Sequence, residues 1–172
     1  MRRAAAAAIL LLAGCRERAA DAPAGSAEAL AARRMVWEAV QPMAAMRGID
    51  PLFAYALVGA ESGFEPRARR GEARGLLQVK PRAWAAVSAL PYETNVWDWR
   101  TNLSVGLEGL AATKRALVAK GVFSYPLLWA AHHYGLDYVA ARGFDMSRVA
   151  RPQGAVALRL WAGEVHPLKP PE

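Results

Sequence analysis

Asp50-Pro51-Leu52-Phe53-Ala54-Tyr55-Ala56-Leu57-Val58-Gly59-Ala60-Glu61-Ser62-Gly63-Phe64-Glu65-Pro66-Arg67-Ala68, and after a short loop Gly75-Leu76-Leu77-Gln78, set the architecture of this chain. Asp50 suits a helix N-cap and Pro51 the first helical position. Leu52, Phe53, Ala56, Leu57 and Ala60 follow at helical spacing, and Gly63 suits the C-terminal stop. Glu61 therefore stands where an apolar helix ends and a glycine-rich turn begins. Such an arrangement holds one carboxyl half-buried over an open cleft, which is what breaking a glycosidic bond needs.

The same reading extends along the chain and predicts an all-α, mainly helical fold. Glu28 to Met46 is alanine-rich, with Leu30, Met35, Val36, Val40 and Met43 on one side, and Pro42 is expected to kink or split it. Pro81 begins a short helix with Trp84, Val87 and Leu90. Asp98 caps a long one to about Lys120, closed by Gly121, with Leu103, Leu107, Leu110 and Leu117 as its buried stripe. Ser124 opens a helix to Gly135. Shorter ones are expected at Asp137–Ala141 and Gln153–Glu164. No alternating strand pattern of useful length occurs.

Fifty-four per cent of the 172 residues are hydrophobic, which suffices for a core and excludes global disorder. The sole cysteine is Cys15. Arg2 and Arg3 precede an apolar run from Ala4 to Gly14, the plan of an export signal. As a helix that run spans roughly 16 Å, too short for a membrane core of about 30 Å. Leu12-Ala13-Gly14-Cys15 resembles the bacterial lipobox, which implies cleavage before Cys15 and lipidation of that residue. The alternative is an ordinary signal cut near Ala13. Residues 16–27 are small and polar and read as a tether, which leaves 28–172 as the catalytic domain. The net charge is +7, or +5 without residues 1–14, which favours anionic envelope polymers or membrane surfaces. Nucleic acid is excluded as a partner, since no helix-turn-helix spacing, zinc ligand set or RNA-binding aromatic motif is present.

Glu61-Ser62-Gly63-Phe64-Glu65-Pro66-Arg67-Ala68 with Gly75-Leu76-Leu77-Gln78 resembles the soluble lytic transglycosylase (SLT) domain family of peptidoglycan-cleaving enzymes. That pattern is Glu-Ser-x-Phe-x-Pro-x-Ala, a short loop, then Gly-Leu-Met-Gln. Asn102-Leu103 fits its Asn-Leu element, and Ala130-Ala131-His132-His133-Tyr134-Gly135 occupies its Ala-Ala-Tyr-Asn-x-Gly element. The resemblance covers roughly Ile49 to Phe144. Three departures stand out: a loop about one residue shorter, Leu77 for methionine, and His132-His133 for Tyr-Asn. Tyr134 points about 100° away on a helix and does not replace the tyrosine.

The resemblance implies a lysozyme-like fold and cleavage of the MurNAc–GlcNAc β-1,4 bond with formation of 1,6-anhydroMurNAc. It implies Glu61 as the one catalytic residue, acid and then base. It implies neither metal nor organic cofactor. A general acid must stay protonated near neutral pH. Leu57 and Ala60 should desolvate Glu61, and the helix C-terminus disfavours an anion, so a raised pKa is expected. Ser62 is read as a substrate-binding residue or, equally, as a hydroxyl bonded to its own helix. Gln78 is expected to line the sugar cleft, and Gly75 to serve the turn. Of His132 and His133, one should pack and one line the groove. Adjacent on a helix, they cannot form a typical metal pair.

Glu65, Glu72, Glu93, Asp98, Glu108 and Asp137 are the candidates for a second carboxylate, none of them at a catalytic place in the family pattern. Arg67, Arg69, Arg70 and Arg74 read as a solvated loop or as partners for stem-peptide carboxylates. Trp97 and Trp99 are the tryptophans expected nearest the surface. The expected partners are peptidoglycan strands and, through the lipid, a membrane. A monomer facing the periplasm is expected. Arg16 after the cysteine, in place of an aspartate, favours the outer membrane. The rival functions are a hydrolytic muramidase and a non-catalytic peptidoglycan-binding lipoprotein.

Overall fold

The structure, a computed structural model, describes residues 26–172. The leader, Cys15 and nearly all of the tether lie outside the described residues.

Helix α1 (Ala27–Ala45) starts where Ser26 Oγ accepts the Ala29 amide at 3.1 Å. Pro42 lies inside α1 without ending it. The bond it forfeits belongs to the last turn, where the loss costs least. Helix α2 (Pro51–Ser62) begins as the sequence predicts: Asp50 Oδ1 accepts the amides of Leu52 and Phe53 at 2.9 and 3.0 Å. It ends at Gly63, whose φ of +61° is the left-handed cap that glycine adopts without strain. Between them, Phe53 to Val58 are almost wholly buried, so α2 is the central post of the core.

The chain then makes a small hairpin, β1 (Arg69–Arg70) and β2 (Ala73–Arg74), paired antiparallel with Arg69 opposite Arg74. Two-residue strands carry no alternation for a sequence pattern to show. Short helices α3 (Pro81–Ala85) and α4 (Tyr92–Asn95) follow, the second unpredicted because a single turn has no periodicity. The long α5 (Trp99–Ala119) is capped by Asp98 Oδ1 on the Thr101 amide at 2.8 Å. Then come α6 (Tyr125–Tyr134), α7 (Leu136–Ala140), a 3-10 turn (Met146–Arg148) and α8 (Ala155–Trp161), which is shorter at both ends than expected.

Helix α2 packs on α1 and α8, and α6 packs on α5, α7 and α8. The segment after α8 returns over α2. His166 Nε2 meets Asp50 Oδ2 at 2.9 Å at one end of that helix. At the other, the Leu168 side chain packs over Gly59, its Cδ1 2.5 Å from where a Cβ would stand. This strap and the α1 packing fix α2, and with it the position of Glu61.

Candidate active site

Glu61 occupies the last turn of α2 and is only 5% exposed. It lies in the wall of a cleft of about 730 Å³ that Arg70, Glu72, Gln78, His132 and His133 also line. Four of the five sequence-derived site residues within the described chain thus meet in one cleft. Ser62 does not join them. Its Oγ donates to the Val58 carbonyl at 3.0 Å, the helix-satisfying role that its position allowed. The expectation of a substrate contact from Ser62 is therefore not met.

Two groups grip the Glu61 carboxylate from different elements. His133, near the end of α6, places Nδ1 2.8 Å from Oε1. Arg70, on β1, donates from one guanidinium nitrogen to Oε2 and from another to the Glu61 backbone carbonyl, both at 3.1 Å. Arg70 is the site residue that sequence reasoning missed. It stood among four arginines read mainly as a solvated loop, and only the hairpin register turns this one inward. Its neighbours turn the other way: Arg67, Arg69 and Arg74 gather within 5.6 to 6.0 Å of the Trp97 ring centroid. Trp97 and Trp99 do not line the cleft.

These partners reverse one expectation. Burial alone would push the Glu61 carboxyl up. The His133 hydrogen bond and the positive charges of His132, His133 and Arg70 act against it and hold the carboxyl below the usual glutamate range. The apolar neighbours were legible on α2. The cations, which arrive from β1 and α6, were not. Both histidines line the cleft, so the expected division into one packed and one groove-lining ring is not what the fold gives. His132 is the one tied to the cleft floor. Its Nε2 lies 3.2 Å from the Leu77 carbonyl, which can only accept, so Nε2 carries the proton. Burial pushes this imidazole below the ordinary histidine range, against the attraction of Glu61. It therefore adds charge only in acid. His133 is stacked on Trp129 at 5.2 Å and 15° and edge-on to Tyr134. The Tyr134 hydroxyl bonds the Ala150 carbonyl, away from Glu61.

The floor is the Gly75–Gln78 turn. Gly75 has φ +75°, and a Cβ there would stand 2.4 Å from Asn102 Nδ2. That closeness lets Asn102, fully buried on α5, accept the Leu77 amide and donate to the Arg74 and Val96 carbonyls. Gln78 lines the cleft, yet its Nε2 is spent on the carbonyls of Ala68 and Gly75 at 3.0 and 2.8 Å. Its Oε1 is buried without a partner. Gln78 thus stands in the cleft wall as expected, with its amide nitrogen turned to the backbone. Among the described residues no group of three or more His, Cys, Asp or Glu gathers to hold a metal.

A buried carboxyl at a helix end, held over a roomy cleft by an imidazole and a guanidinium, can move a proton to or from an oxygen in that cleft. The model of the transglycosylase SLT domain matches residues 38–137, more than half of the chain and every element of the cleft described above. No curated protein and no solved structure matches it. The mainly helical fold and this match together place the chain in the transglycosylase SLT domain family, among the lysozyme-like proteins.

Proposed function

We propose that this protein is a peptidoglycan lytic transglycosylase that cuts the MurNAc–GlcNAc β-1,4 bond and leaves a 1,6-anhydroMurNAc end. The observation that carries the reading is Glu61: one buried carboxyl in the cleft, with an imidazole on one oxygen and a guanidinium on the other. The first step needs Glu61 protonated. Sugar filling the cleft expels water and raises the cost of the carboxylate charge. An imidazolium at His133 can then pass its Nδ1 proton across 2.8 Å to Oε1. Glu61 gives the proton to the bridging oxygen as the bond to the muramyl anomeric carbon breaks. The muramyl C6 hydroxyl attacks that carbon and returns its proton to Glu61. No water is consumed. A tethered hydroxyl gains effective molarities of about 10⁵ M or more, which removes the need for a second carboxylate.

The hydrolytic alternative rests on one observation, that exposed Glu72 also lines the cleft. Digestion of purified sacculi separates the two by mass. An anhydro end lies one water below a hydrolytic one, and a product at the hydrolytic mass would overturn the reading. A non-catalytic role is disfavoured because His133, one of the two residues that replace the family's Tyr-Asn pair, bonds the Glu61 carboxylate. We place the protein in the bacterial envelope, as a monomer tethered through lipid on Cys15 to the outer membrane and working close to it. If a tether lengthened severalfold left cleavage in cells unchanged, the last part of that placement would be wrong.

A further inference from the structure

Arg70, His133 and Tyr134 line the main cleft and also a second cavity of about 410 Å³, which Arg151 and Gln153 complete. No carboxylate lines this second space. Arg151 forms no ion pair among the described residues. Arg70 has its guanidinium on Glu61 while 57% of its side chain stays exposed. Two arginines thus line one small cavity that shares Arg70 and His133 with the cleft of Glu61.

We propose that this cavity is a carboxylate subsite, held by Arg151 and Arg70, for the peptide stem of the glycan strand. The inference rests on the function proposed above and names the part of the substrate that this function left open. The sugar backbone of peptidoglycan carries no charge, so it offers these guanidiniums only neutral acceptors, whose hydrogen bonds are the weaker kind. The peptide on the muramyl lactyl group does, and it leaves the strand next to the bond being cut. Guanidinium forks match carboxylates in a paired geometry. A carboxylate arriving at Arg70 competes with Glu61 Oε2 for the same donor. Its binding draws Arg70 off Glu61 and so favours the protonated form that the first step needs. Recognition of the peptide and arming of the acid become one event.

The test uses the full chain and two substrates, glycan strands with their peptide carboxyls free and the same strands with those carboxyls amidated. For the native protein, KM is expected to be about tenfold lower on the strands with free carboxyls, the worth of one charge-assisted hydrogen bond. In Arg151→Gln that ratio falls towards one, and Arg151→Lys restores part of it. An unchanged ratio in Arg151→Gln, or no preference in the native protein, overturns the subsite. Calorimetry with a muramyl tripeptide and its carboxyl-amidated form gives a readout that needs no cleavage. The native protein should bind the acid form more tightly and Arg151→Gln should not distinguish them; equal binding by the native protein counts against the subsite. Loss of cleavage on every strand with this discrimination intact would sink the proposed reaction and leave the subsite standing.

Discussion

The two walls that hold Glu61 are built differently. His133 belongs to α6, is stacked on the buried Trp129, and offers one nitrogen in one direction. Arg70 belongs to a two-residue strand, is largely exposed, and holds on through two hydrogen bonds alone. The first wall is fixed by packing, and the second is free to leave when something better arrives. In the proposed reaction the carboxyl is anion and acid in one cycle, which calls for both kinds, one partner that stays and one that can be exchanged.

The severest challenge removes what both walls grip. Glu61→Gln should cut the release of anhydromuropeptides from sacculi by about 10²–10⁴-fold, the usual worth of a general acid–base group, read by mass spectrometry of the digest. Retained release would break the comparison outright. The same variant asks whether the grip stabilises the fold. The Glu61 carboxyl is held below its ordinary range. Its ionised form therefore adds stability above the unfolded carboxyl pKa, and that stability is lost as pH falls through the folded value. Glu61→Gln should be less stable than the native chain by about 1–3 kcal/mol near pH 7, with the gap closing in acid. Equal denaturant midpoints at both pH values would show that the grip contributes nothing. The smallest effect sharpens the contrast between the walls. His133 lowers the Glu61 pKa through a hydrogen bond and a charge, and Arg70 through the weaker charge contribution. Carboxyl titration by NMR should move upward in both His133→Ala and Arg70→Ala, and further in the first. The reverse order would make Arg70 the fixed partner.

The same contrast explains what the sequence could and could not reveal. Helix α2 was legible end to end, because Asp50, Pro51 and Gly63 are local signals that act within a turn of the backbone they govern. The caps at Asp98 and Ser124 were legible for the same reason. The acid itself was legible by its place at a helix end. Its charge state was not, since that depends on Arg70 and His133, nine and 72 residues along the chain. Arg70 differs from Arg69 only in which side of a two-residue strand it occupies, and so short a strand leaves no pattern. Asn102 was visible as half of an Asn-Leu pair. That it ties α5 to the cleft floor and the strand before it, through the Leu77 amide and the Arg74 carbonyl, follows only from the missing side chain at Gly75.

The segment that returns over α2 joins residues 116 positions apart, as His166 meets Asp50. Bringing such distant parts of a chain together costs closure entropy that local helices do not pay, so this contact is expected to follow them. Until that closure, Glu61 sits on a helix whose ends are loose and whose neighbours have not come to rest. Water then reaches the carboxyl and restores its everyday acidity. A half-assembled molecule carries the glutamate without its surroundings, so the proposed cutting edge stays sheathed until the whole body has set.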